Sequence, residues 1–247
     1  MGRQTGAVTF TGRFGNMVGY ISDGENLVRT PGGQTKSQIM SNPRTKANVD
    51  EFGLLQASVG TIRLGLMRAI AKTRNSKLQG QLTSKLSTIR NTSTQPKGER
   101  TVAEGTNFGS LQDFRISKRA MASRFALSFN ANWNKATSSA ELAVLDINPA
   151  SDVFPPSSAA KFSYSFIAAE VDLIENRIIQ SGMAVHIDKQ DVTAITPIAG
   201  VVIQIPLSNT ANTHIIGAQL IEFFDDNDAP LGIQDNASII SLATKNV

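Results

Sequence analysis

The amino-acid sequence predicts an α+β protein in which a short N-terminal β-arm and a helical hairpin precede a C-terminal antiparallel β-sandwich. Three observations predict it: glycine-punctuated alternating segments before residue 33, two segments of helical periodicity between residues 42 and 90, and repeated period-two alternation after residue 125. The expected organisation is a β-arm over 1–33, a helical hairpin over 34–92, a linker over 93–109 and a β-sandwich over 110–247.

In the arm, Ala7 to Thr11, Met17 to Ile21 and Leu27 to Arg29 alternate apolar and polar residues. Gly12, Gly15 and Gly19 punctuate the first turn, and Asp23-Gly24 is a dipeptide suited to a hairpin with positive φ. Such strands are too short to stand alone. Pro31-Gly32-Gly33 ends the arm.

Asn42-Pro43 then pairs a capping residue with proline at the first helical position. Phe52, Leu55, Val59, Ile62, Leu66 and Ile70 follow at spacings of three and four, which puts six apolar side chains on one stripe. Gly53, Ala57 and Gly60 form a second, small-residue face on the same helix. Glycine inside a helix costs about 1 kcal/mol relative to alanine, so close packing is expected against this face. A second helix from Ser76 to Arg90 carries Leu78, Leu82, Leu86 and Ile89 on one side.

Residues 91–109 are polar and aperiodic, which marks a connecting loop. Beyond it Phe125, Leu127, Phe129, Ala131 and Trp133 alternate with polar residues, as do Phe162, Tyr164 and Phe166, and Val201, Ile203, Ile205 and Leu207. These read as half-buried strands. Runs at 141–147, 170–174, 178–187, 214–224 and 238–242 bring the expected number to about seven or eight, a number that suits a sandwich.

Charge divides the chain the same way. Residues 1–125 hold 19 Lys and Arg against 7 Asp and Glu, and residues 126–247 hold 5 against 13, so the halves carry +12 and −8 within a net charge of +4. Such asymmetry points to a charged partner, and that partner can be another copy of the chain. Arg63, Arg68, Lys72, Arg74, Lys77, Lys85 and Arg90 fall within the helical hairpin. Three readings stand for them: a solvated helix surface, pairing with an acidic protein surface, and nucleic-acid binding, the last without an interleaved aromatic platform.

No enzyme active site is expected. With no cysteine, thiolate nucleophiles, thiolate metal sites and disulfides are excluded. Gly-x-Ser-x-Gly, Walker A and Rossmann motifs are missing, and the Gly12/Gly15/Gly19 spacing fits none of them. His186 and His214 lie in strand patterns without further ligands at metal spacing, and Asp225-Asp226-Asn227-Asp228 lacks the ligand order of an EF-hand and reads as a solvated turn. No cofactor, metal or small-molecule substrate is therefore assigned. One Trp and two Tyr leave little for a carbohydrate-binding platform. The sequence shows neither a secretory h-region nor an apolar run near the length of a membrane span. Cytoplasmic localisation is the default expectation, with an extracellular or virion-like assembly left open.

The strands ending in Val28-Arg29, the Asn42-Pro43-Arg44-Thr45 helix start leading to Glu51-Phe52-Gly53, and Lys97-Gly98-Glu99-Arg100 resemble a group of small uncharacterised Bacteroidota proteins. Ile221-Glu222-Phe223-Phe224 followed by Pro230-Leu231 is similar to them as well. The resemblance touches both halves, implies this layout and implies no catalytic residue.

The functional expectation is a non-catalytic structural protein that self-assembles into a filament, tube or shell. Basic and acidic surfaces would meet head to tail, and the arm would add strands to a neighbour. The interface expected from this reading comprises Gly12, Gly15, Gly19, Gly53, Ala57, Gly60, Asp225, Asp226 and Asp228. The alternative is a nucleic-acid-binding accessory or packaging protein that uses the basic hairpin.

Overall fold

The structure is a computed structural model that describes residues 2–6, 9–22, 24–30, 36–126 and 129–246. Ala7, Asp23, Pro31-Gly32-Gly33 and Leu127, all used in the expectations above, lie outside the described residues. The chain is α+β with several antiparallel sheets, and it divides into two compact units, Met1–Val49 and Asp50–Val247.

The first unit holds a four-stranded antiparallel sheet in the order β1 (Gly2–Arg3), β4 (Glu25–Arg29), β3 (Met17–Ser22), β2 (Gly12–Phe14). Phe14 pairs with Met17 across a two-residue turn whose first residue, Gly15, has φ +56°. Thr9 to Thr11, expected as part of a strand, do not pair. Instead Phe10 exchanges hydrogen bonds with the Gln4 side-chain amide, which also donates to the Leu27 carbonyl. Gly19 is required here because a Cβ would overlap the Phe10 carbonyl oxygen. After a short helix α1 (Lys36–Ser41), Asn42 Oδ1 accepts the Thr45 N–H at 3.2 Å and caps α2 (Pro43–Gly65), with Pro43 at its first position.

In the second unit α2 continues to Gly65, breaks at Leu66 and resumes as α3 (Met67–Ala71), after which α4 (Leu78–Arg90) follows. Leu55, Val59, Ile62 and Leu66 are buried as their spacing predicts, together with Leu78, Leu82, Leu86 and Ile89 of α4. Phe52 is a correction to the expected stripe. It is 55% exposed, and its place is taken by Glu51, which is 2% exposed. Glu51 lies one turn before Leu55 on the same face, and its carboxylate meets guanidinium groups there. Close approach comes at Gly65, where a Cβ would sit 3.0 Å from the Ala169 Cβ.

Among the described residues seven strands follow, in two antiparallel sheets. One has the order β11 (Ala237–Lys245), β10 (His214–Phe224), β7 (Lys161–Asp172), β8 (Arg177–Asp191). The other has the order β5 (Phe129–Asn134), β6 (Ser139–Val144), β9 (Val201–Pro206), and a one-turn helix α5 (Pro149–Asp152) lies between β6 and β7. Glu170 to Ile174 do not form their own strand, because β7 runs through to Asp172.

The expectation of a half-buried strand is overturned for β7, whose residues are buried on both faces, as are those of its neighbour β10. Ile167, Ala169, Val171, Ile216, Ala218 and Leu220 join the helices in one core. On the opposite face, Phe162, Tyr164, Phe166, Ile215, Ile221 and Phe223 join Leu142, Val144, Ile203 and Ile205 of the three-stranded sheet in a second core. Helices therefore cover one face of the central sheet and strands the other, which is why Ser163 and Ser165 are buried as fully as their apolar neighbours. Val102, Ala103 and Phe108, from the stretch expected as a linker, belong to the helix-side core.

Within the second core the Tyr164 hydroxyl donates to Gln219 Oε1 at 2.6 Å, and burial pushes that phenol above its ordinary pKa. Tyr164→Phe is expected to cost about 2 kcal/mol in urea denaturation, because it leaves the buried amide oxygen of Gln219 without a donor.

Candidate functional site

The basic residues of the helical hairpin divide into those used inside the fold and those left outward. Glu51 is the internal acceptor. Arg100 grips its carboxylate with two bonds, Nε to Oε1 at 2.8 Å and Nη2 to Oε2 at 3.0 Å. The Gly98 N–H adds a third at 2.8 Å, and Arg90 Nη1 stands 3.7 Å from Oε2. This hydrogen bonding, with Arg100 first, lowers the Glu51 pKa to about 2 against the cost of desolvation. Arg90 is thus committed to the interior, and Lys72 is paired with the buried Glu222 at 3.1 Å. Arg63 donates to Gln79 Oε1 at 2.7 Å, and Arg68 is exposed on α3.

Arg74 and Lys77 line a hollow of about 540 Å³ beside the N-terminal end of α4. Arg115 and Lys118 close its other side, with Gln81, Ser117 and Gln234 around it. Lys85 stands with Arg115 on an adjoining hollow. Two hydrogen bonds to backbone carbonyls bring the segments together. The Lys118 N–H donates to the Arg74 carbonyl at 2.9 Å, and Asn75 Nδ2 donates to the Ile116 carbonyl at 3.1 Å. Arg115 is further held by bridging Ile239 of β11. Among the described residues Arg74, Lys77, Arg115 and Lys118 make neither an ion pair nor a side-chain hydrogen bond. Arg115 and Lys118 escaped the sequence reading because their segment has no periodicity. Their only signal was basic composition.

The acidic residues lie in the turn after β10. Asp225 Oδ1 accepts the N–H groups of Asn227 and Ala229 at 2.9 Å each, and Asp228 pairs with Lys161 at 2.8 Å. That bond lowers the Asp228 pKa and raises that of Lys161. Asp226 is exposed beside Lys161 and Asp191 in a shallow polar hollow. Among the described residues no group of three or more His, Asp or Glu is arranged to hold a metal ion. His186 and His214 are not brought together with such residues.

The glycines differ in what they do. Gly12, Gly15 and Gly19 serve the backbone of the N-terminal sheet, Gly12 and Gly15 through positive φ and Gly19 through close approach. Gly53 and Ala57 are exposed on α2, and Gly60 is half-buried. Among the described residues of the second unit the close packing expected there is not made, since a Cβ at Gly53 or Gly60 would meet nothing within 4 Å. Leu64 continues that stripe and is exposed, and exposed Phe52 and Met67 flank it. Among the described residues no helix is long and apolar enough to cross a membrane. Comparison with protein-family profiles, with curated proteins and with solved structures finds no match to this chain.

Proposed function

We propose that the protein is a non-catalytic structural protein that self-assembles, with the outer surface of α2 seated on a second copy. The observation that carries this reading is a small-residue helix face that nothing covers among the described residues of the second unit: Gly53, Ala57, Gly60 and Leu64, flanked by exposed Phe52 and Met67. Two interior glycines cost the helix about 1 kcal/mol each, and no close packing among the described residues of the second unit offsets that cost. Contact at backbone distance with another copy does.

Charge argues that this copy presents a different surface. Within residues 50–247, the stretch 50–125 holds 13 Lys and Arg against 5 Asp and Glu, whereas 126–247 holds 5 against 13, so +8 faces −8. Lys72–Glu222 and Arg124–Asp235 pair across that division. Unlike surfaces in contact make a heterologous interface, which propagates into a ring or a filament. The N-terminal sheet offers β1 and β2 as edges for strand addition, with Phe14 exposed on β2. We further read the two C-terminal sheets as a β-sandwich closed by the core that they share.

Gly60→Ala separates this reading from that of a monomer. In dilute protein at high salt the substitution is expected to raise unfolding stability by about 1 kcal/mol, and at low salt to weaken association. Sedimentation velocity reads both the wild type and a Leu64→Lys variant. Species that grow with concentration for the wild type and collapse to monomer for the variant are expected. A monodisperse wild-type monomer at high concentration in low salt would sink the reading. A nucleic-acid-binding role is the second reading, favoured by the basic hollow beside α4.

A further inference from the structure

We infer that the hollow between the α3–α4 turn and residues 115–118 is a binding site for phosphate groups. It is concave, and its four cations come from two chain segments, Arg74 and Lys77 from one and Arg115 and Lys118 from the other. No carboxylate lines it, and none of the four is in an ion pair among the described residues. Like charges gathered in one depression repel one another, and a bound oxyanion converts that repulsion into attraction. Both anchors of the site are hydrogen bonds to backbone carbonyls, so the two chain segments that carry the cations are fixed side by side without the ligand.

The chemistry selects phosphate over a protein carboxylate. Two guanidinium groups offer forked pairs of donors that match phosphate oxygens, and two ammonium groups add point charge. Ser76 and Gln234 at the rim extend the polar lining. Ser76, Lys77 and Gln81 put the first turn of α4 on the same lining, where the helix end adds partial positive charge. The chain's own acidic turn is a poor occupant, because Asp225 is spent on its own turn and Asp228 on Lys161.

The site deepens the nucleic-acid reading and survives its failure, since the phosphate can come from a nucleic-acid backbone or from a small polyphosphate. The probes are sodium tripolyphosphate by isothermal titration calorimetry and a fluorescein-labelled, mixed-sequence single strand by fluorescence anisotropy, both at low salt. Variants are Arg115→Ser/Lys118→Ser at the site and Lys97→Ser at an exposed position outside it, with far-UV circular dichroism confirming that each is folded. Tripolyphosphate is expected to bind the wild type and the Lys97→Ser variant, and to bind the double variant about tenfold or more weakly. It is also expected to raise the melting temperature of the wild type only where the site is intact. If the single strand binds as well, with its salt dependence flattened in the double variant, the phosphate source is nucleic acid. Tripolyphosphate binding without strand binding assigns a small polyphosphate and removes the nucleic-acid reading. No tripolyphosphate binding at low salt, or equal binding by the double variant, overturns the site.

Discussion

Arg100→Ala is expected to destabilise the second unit by about 3–5 kcal/mol, the cost of leaving a buried carboxylate without its main partner. Glu51 is 2% exposed and takes two bonds from Arg100, and Arg90 at 3.7 Å does not replace them. Urea denaturation monitored by circular dichroism measures the effect. A loss below about 1 kcal/mol would mean that water reaches Glu51. Replacing Glu51 and Arg100 together by leucine and methionine should cost less than Arg100→Ala alone, because neither leaves an unpaired charge.

The same carboxylate makes stability depend on acid. Its pKa is lowered in the folded chain from 4.5 to about 2, so the folded state releases a proton that the unfolded state still holds. The stabilisation is fully present above pH 4.5 and is lost as pH falls toward 2, amounting to about 3 kcal/mol. Glu51→Gln should flatten stability across that window while lowering it at neutral pH.

A second acid transition, at higher pH, is expected from His214. Its ring is buried against Phe108, with centroids 4.5 Å apart, and among the described residues neither ring nitrogen has a hydrogen-bond partner. Burial first, and then the positive charge of Lys245, lower its pKa from 6.5 to about 4, with Asp172 opposing weakly. The unfolded chain therefore takes up a proton that the folded chain refuses. Stability is full above pH 6.5 and falls by about 3 kcal/mol as pH drops to 4. His214→Phe keeps the aromatic contact and removes the proton, so its stability should be level between pH 6.5 and 4. An unchanged slope in that variant would assign the transition to other groups.

How much of this was legible in the sequence depended on whether a feature was local. The Asn42-Pro43 helix start, the stripe from Leu55 to Leu66 and the strands Met17–Ser22 and Val201–Pro206 follow from neighbours a few residues away, and they stand where periodicity put them. Phe52 and Glu51 do not. Both lie near the edge of the stripe, and the choice between them was made by Arg100, 49 residues along the chain. Serines 163 and 165 looked like the wet face of a strand, and only the helix layer on the far side of the sheet made them core.

The candidate site divided in the same way. Arg74, Lys77 and Lys85 were legible as basic residues of a helical pair, but nothing in their spacing separated them from Lys72 and Arg90, which the fold consumes in ion pairs. Arg115 and Lys118 come from an aperiodic segment that backbone bonds lay beside residue 74, so their membership in the hollow exists only in three dimensions. Glycine was ambiguous for a related reason. The sequence cannot distinguish Gly65, which lies against Ala169, from Gly60, where a Cβ would meet nothing within 4 Å among the described residues.

That unfilled helix face is the basis of the assembly reading, and photo-crosslinking from it is the most direct test. A benzophenone amino acid placed at the exposed Phe52, in a mixture of ¹⁴N- and ¹⁵N-labelled protein, reports what lies against α2. Self-assembly through unlike surfaces predicts mixed-isotope adducts that map to residues 126–247 of a second copy. Adducts confined to single molecules, or joining α2 to α2, would contradict it.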